Sequence, residues 1–190
     1  SYDAIESLVN KMAAQVDDGP CVTYIGPGGS GHLVKTVHNG IEYGIEQILA
    51  EGYDLMKRVK GMSGEQMADV LAHWNASEEL SSYLVEITEV CLRTKDPQDG
   101  ADLVEKIVDQ AGQKGTGLWT VVTALKMGAS VPTIYASLNG RVMSSLRQQR
   151  IKAESVFKPL PIKDFDLGSI DDGMAPLMDA TVLSCIASYA

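Results

Sequence analysis

The sequence predicts a mainly α protein: an all-helical domain built on one long central helix and preceded by a short helix-strand unit. Three observations carry this. From Gly31 a helical pattern runs to Lys60-Gly61 without a proline. Further segments with the same periodicity follow it nearly to the end of the chain. The one run with strand character, Cys21 to Ile25, has no second strand after it with which to build a βαβ unit.

Taken in order, Ser1 to Val16 carries apolar residues at Ala4, Ile5, Leu8, Val9, Met12 and Val16, the rhythm of an amphipathic helix, which "DDGP" ends. The strand follows, then the long helix. Ser63 with Gln66 has capping-box spacing before "MADVLAHW". Helical segments are predicted at Leu80 to Arg93, Ala101 to Ala111, Leu118 to Met127 and Thr133 to Phe157, with Gly128 as a C-terminal stop. "FKPLPIKDFDLGSIDDG" reads as a loop before a last helix from about Met174 to Tyr189. Trp74, Trp119 and the methionines fall on apolar helical patterns and are expected in the core.

Bulk composition narrows the function. With 190 residues, 45% of them hydrophobic, the chain can bury one sizeable core. A net charge of −9 argues against a general nucleic-acid or anionic-membrane surface, both of which need clustered positive charge. Cys21, Cys91 and Cys185 lie far apart without C-x-x-C spacing, so reduced, cytoplasmic thiols are expected and no metal site is indicated. No apolar run has the length of a membrane span, and "SYDAIESLVNK" lacks the regions of a signal peptide.

Gly26, Gly28 and Gly31 spell G-x-G-x-x-G between the strand and the long helix, the form of a dinucleotide-binding turn. The acidic residue such a fold needs about 20 positions on would be Glu51, but that lies inside the unbroken helical pattern. The glycines are better suited to letting the backbone at a helix N-terminus approach an anionic ligand. Along the helix, Val34, Val37, Ile41, Ile45 and Ile48 share a stripe about 80° wide, expected to face the core. Lys35, His38, Asn39 and Glu42 share the adjacent face, putting a cation, an imidazole, an amide and a carboxylate over two turns. Gly40 and Gly44 fall on the third side, where another element can pack closely. Read by spacing alone, the polar face is more simply an ordinary solvated surface.

The run "GGSGHLVKTVHNGIEYG" closely resembles the 6-phosphogluconate dehydrogenases, whose G-x-x-G-x-x-x-K-x-x-H-N-G-I-E-Y pattern is matched from Gly28 to Tyr43. "AGQKGTGLWTVVTAL" is similar to the family's second signature, and "SSLRQQRIKAESV" resembles a later helix. The resemblance implies an all-helical domain of the 6-phosphogluconate dehydrogenase type. Residues 1–29 would be the tail of an N-terminal NADP-binding Rossmann domain, and residues 30–190 a truncated C-terminal domain for substrate binding and dimerisation. It also implies NADP as cofactor, 6-phosphogluconate as substrate, a homodimer, and a fragment inactive by itself.

Carried over position by position, the resemblance makes Lys35 the base that takes the hydroxyl proton, and Glu42 the acid that protonates the enediol at carbon. An amine serving as base must start neutral, which partial burial and nearby positive charge favour. His38 and Asn39 match residues that hold the substrate's hydroxyls and carboxylate region. Tyr43, Lys114, Thr116 and Arg141 match positions around its phosphate. "QKGTG" has independent merit, since a lysine and free N–H groups before a helix make an anion cradle. Leu118 stands where the family commonly has Lys, and "SLRQQR" and "TIYASLNGR" depart from the commonest forms. Another β-hydroxyacid dehydrogenase would share Gly28, Gly31, Lys35 and Asn39, but does not need a carbon-protonating acid at Glu42. A non-catalytic dimerisation module would need neither Lys35 nor Glu42.

Overall fold

The computed structural model describes residues 2–157 and 166–190. Its centre is helix α2 (Ser30–Arg58), 29 residues long and so about 43 Å from end to end. Helix α1 (Glu6–Met12) and a two-stranded antiparallel hairpin, β1 (Gln15–Val16) with β2 (Gly19–Pro20), precede it. Six helices follow: α3 (Gly64–Asn75), α4 (Tyr83–Arg93), α5 (Thr116–Met127), α6 (Pro132–Ser145), α7 (Arg147–Val156) and α8 (Ala175–Tyr189). The fold is mainly α, as the sequence predicts. Among the described residues no helix is long and apolar enough to cross a membrane.

Several boundaries differ from the sequence expectation, each for a local reason. Helix α1 stops at Met12 because the Gln15 side chain turns back to donate to the Asn10 and Ala13 carbonyls at 2.8 and 2.9 Å. Cys21 to Ile25 is not a strand: it runs without a ladder partner among the described residues, and Tyr24 and Ile25 are exposed. Ala101 to Ala111 holds only a 3-10 turn at Leu103–Lys106. There Asp102 pairs with Lys95 across an isolated bridge, and the Ala111 N–H donates to Ser144 Oγ at 2.7 Å. Thr133 to Phe157 is two helices broken at Leu146, since the Ser144 and Ser145 carbonyls accept from the Arg150 and Gln110 side chains. The Ser63–Gln66 capping box and the left-handed Gly128 C-cap are both present. In the expected loop from Phe157 to Gly173, residues 158–165 lie outside the described residues.

The main core joins α2, α3, α4 and α8 through Leu49, Met56, Met67, Leu71, Trp74, Leu92 and Leu177, and a smaller one joins α5 and α6 through Val121, Ile134 and Leu138. Trp74 is buried, and its Nε1 donates to the Gly173 carbonyl at 3.1 Å, tying α3 to the turn before α8. Trp119, expected in the core, is instead exposed, as are Met12, Met127 and Met143. The face that α2 buries differs in part from expectation: Ile41 and Ile45 of the predicted stripe pack, half-buried, against the two cores. Val34 and Val37 are exposed, while Gly40, Gly44, Leu49, Gly52 and Met56 are buried. Neighbours meet α2 on its glycines because absent side chains let backbones come close. A β-carbon on Gly40 would lie 2.7 Å from Thr120 in α5, and one on Gly44 would lie 3.0 Å from Ser188 in α8.

Candidate active site

Helix α2 delivers two groups of polar side chains that its geometry keeps adjacent. In the first, Lys35 Nζ lies 3.2 Å from His38 Nδ1, which lies 3.3 Å from Asn39 Oδ1 and 3.8 Å from Glu42 Oε2. The i+3, i+4 and i+7 spacing thus gathers a lysine, an imidazole, an amide and a carboxylate around one ring nitrogen. That nitrogen carries either a lone pair or a proton. Bare, it accepts from the Lys35 ammonium; protonated, it donates toward Asn39 or Glu42. Lys35 is exposed, so this chain by itself does not supply the burial expected around it.

Beside the cluster lies a cavity of about 640 Å³ between α2, the start of α4 and the end of α8. Its wall is largely apolar, with Val34, Val37, Ile41, Tyr83 and Tyr189, and His38 and Glu42 also line it. Lys35 and Asn39 are not among its lining residues.

The second group surrounds Tyr43. The Arg141 guanidinium lies over the Tyr43 ring at 4.5 Å, donates through Nη1 to the Gly112 carbonyl at 2.9 Å, and pairs with Glu46. Gly117 is in contact with the same ring, since a β-carbon there would lie 2.9 Å from it. Thr116 is the first residue of α5, after Gly115 in the left-handed conformation, so free N–H groups of this helix end open beside Tyr43. Tyr43, Arg141 and the Thr116 turn are brought together. Lys114 is exposed in the same turn and makes no side-chain hydrogen bond or ion pair among the described residues.

Residues that the sequence reading did not single out hold this turn in place. Asp109 accepts from Arg147 Nε at 2.6 Å and Arg150 Nη1 at 2.7 Å, and these bonds, Arg150's foremost, bring its carboxyl down to about 2. The Thr120 hydroxyl donates to the Thr36 carbonyl at 2.7 Å, locking α5 to the first turns of α2. Glu46 is one turn beyond Tyr43, a spacing visible in the sequence, but its partner lies 95 positions away and no local pattern announces it. Just before α2, Gly26 and Gly28 have positive φ and Gly29 caps the helix. Among the described residues nothing lies within 4 Å of the β-carbon positions of Gly28, Gly29 or Gly31, so no described element makes a close approach there.

Known proteins share the sequence and the fold of this chain. Residues 31–190 match the family profile described as "6-phosphogluconate dehydrogenase, C-terminal domain". The chain is 50% identical over 191 residues to the decarboxylating 6-phosphogluconate dehydrogenase of Synechococcus elongatus, covering 100% of this chain and 40% of that protein. It is 47% identical over 196 residues to the chloroplastic decarboxylating enzyme 1 of Arabidopsis thaliana, again covering 100% of this chain and 40% of that one. Its fold superposes with a TM-score of 0.89 and 41% identity on Plasmodium falciparum 6-phosphogluconate dehydrogenase, over 99% of this chain and 40% of that chain. That protein was solved in its apo form, with its cofactor NADP+ and with its substrate 6-phosphogluconate. The present chain spans about 40% of the length of these relatives.

Proposed function

Because the chain belongs to the 6-phosphogluconate dehydrogenase family, we propose that it forms the helical, substrate-holding part of a decarboxylating enzyme of the pentose phosphate pathway. That enzyme oxidises the 3-hydroxyl of 6-phosphogluconate with NADP, releases carbon dioxide and leaves ribulose 5-phosphate. The observation that carries the reading is the adjacency of two groups along α2: the Lys35–His38–Asn39–Glu42 cluster for the reacting carbons, and Tyr43, the next residue, with Arg141 of α6 over its ring for the phosphate.

Lys35 takes the hydroxyl proton as hydride leaves, then donates a hydrogen bond to the new carbonyl. That bond stabilises the negative charge developing on oxygen as the carboxylate departs. Glu42 returns a proton to carbon, converting the enediol to the ketose. His38 and Asn39 hold the hydroxyls and the carboxylate region, while Lys114, Thr116, Tyr43 and Arg141 hold the phosphate. Since Lys35 is exposed in this chain, the covering that makes it an effective base comes from the substrate and the coenzyme-binding portion of the enzyme.

NADP supplies the hydride acceptor, and the described residues do not fit it. The glycine turn at Gly26 to Gly31 opens straight into a 29-residue helix, with no parallel sheet to seat a dinucleotide. We assign residues 1–29 to the end of a coenzyme domain that holds NADP, and residues 30–190 to the helical domain for substrate binding and homodimerisation. Cytoplasmic residence is supported by three free cysteines.

The test uses the full-length enzyme carrying this chain. Lys35→Ala abolishes both NADPH formation and carbon dioxide release. Glu42→Gln still reduces NADP in a first turnover, but slows ribulose 5-phosphate formation by roughly 100-fold. Ordinary steady-state rates in both variants would remove these roles.

A further inference from the structure

Resting on the reading of this site as a sugar-acid phosphate pocket, we propose that Glu46 is a positioning residue: its carboxylate fixes the Arg141 guanidinium in the orientation that meets the substrate's phosphate. Tyr43 and Glu46 are one turn apart on α2, and Arg141 reaches between them from α6. The guanidinium carbon lies over the ring at 4.5 Å, and the carboxylate accepts from Nη2. The Gly112 carbonyl takes Nη1. A planar cation lying over a ring and held at two donors has lost its freedom to swing. Among the described residues its remaining N–H donors are without partners, and the Thr116 helix end opens beside the same ring.

The close approach of α6 makes this clamp possible. A β-carbon on Gly140 would lie 2.6 Å from Gln47 Oε1, the far end of a flexible side chain, so the glycine next to Arg141 leaves room for Gln47 where the two helices meet. Of the pair, Arg141 is the more buried, with 19% of its side chain exposed against 40% for Glu46. A guanidinium so far withdrawn from water needs a partner before any ligand arrives. Glu46 provides it, and an arriving phosphate meets a fork that is already oriented and loses less entropy on binding.

The experiment measures steady-state kinetics of the full-length enzyme with 6-phosphogluconate, alone and as a double-mutant cycle with Arg141→Ala. Glu46→Ala raises KM by about tenfold and leaves kcat within about twofold. Glu46→Gln, which keeps an oxygen to accept from Nη2, stays within about threefold of the parent KM. In the Arg141→Ala background, Glu46→Ala adds less than about a further twofold, because there is no guanidinium left to orient. If Arg141→Ala raises KM but Glu46→Ala does not, or if Glu46→Ala does equal harm without Arg141, the positioning role is overturned and the phosphate reading stands. If Arg141→Ala itself leaves KM unchanged, the phosphate reading falls and this inference with it.

Discussion

Thr120 rests directly on Gly40: a β-carbon added to the glycine would lie 2.7 Å from the threonine Cγ2 and 2.9 Å from its Cβ. The hydroxyl of the same threonine donates to the Thr36 carbonyl at 2.7 Å. One contact thus sets both the distance between α2 and α5 and their register. Gly40→Ala forces the helices apart, at a cost of about 1–3 kcal/mol that exceeds the roughly 1 kcal/mol alanine returns through helix propensity. Thr120→Ala does not rescue it, because alanine keeps the offending Cβ. Urea denaturation of the single and double variants checks both statements; a Gly40→Ala protein as stable as the parent contradicts the packing described.

Gly117 plays the corresponding part beneath the Tyr43 ring. A methyl group there moves the ring, and with it the guanidinium stacked on its other partners. We expect Gly117→Ala to raise KM for 6-phosphogluconate by about tenfold in the full-length enzyme, with kcat within about twofold, because a displacement near 1 Å at a binding group is costly. An unchanged KM would show that Tyr43 and Arg141 take no part in holding the phosphate.

Asp109 gives the fold a defined acid sensitivity. Its carboxyl, held at about 2 by Arg150 and Arg147, titrates below the ordinary aspartate value of 3.8. A folded-state value lower than the unfolded one means that stability from this group is present in full above about pH 4 and fades as pH falls through about 2. Thermal melts of the parent and of Asp109→Asn should therefore differ by a constant amount near neutrality and converge on the acid side. Curves that stay parallel down to pH 2 would assign the acid loss to other carboxylates.

Trp74 anchors α3 to the turn before α8 by one indole hydrogen bond to Gly173 inside the core. Trp74→Phe leaves that carbonyl without its partner and some space unfilled, and should cost about 2–3 kcal/mol. Equilibrium unfolding followed by far-ultraviolet circular dichroism reads the loss; a cost below about 0.5 kcal/mol would mean the bond is replaced by water.

What could be read in advance divides along a physical line. Signals confined to a few neighbouring residues were legible: the Ser63–Gln66 cap, the Gly128 stop, the proline-free course of α2 and the clustering of Lys35, His38, Asn39 and Glu42. Features fixed by distant partners were not. Val34 and Val37 sit on an apolar stripe yet stay exposed, because α5 and α8 pack on the glycine side of α2 instead. The break at Leu146 depends on the side chains of Arg150 in α7 and Gln110 in the preceding loop borrowing the Ser144 and Ser145 carbonyls, which helical periodicity cannot register. Glu46, Asp109 and Thr120 look like ordinary helix or loop residues until Arg141, Arg150 and Gly40 are placed against them.

The unbroken course of α2 also limits how this region can change over time. Lys35 and Glu42 are separated by seven helical steps, about 10 Å of rise. Dropping or adding a single residue between them would swing everything downstream through about 100°. The acid would then face a different neighbour, and the glycines would lose their seats under Thr120 and Ser188. The segment therefore behaves as a ruler with a fixed phase, open to substitution at many marks but closed to any insertion or deletion.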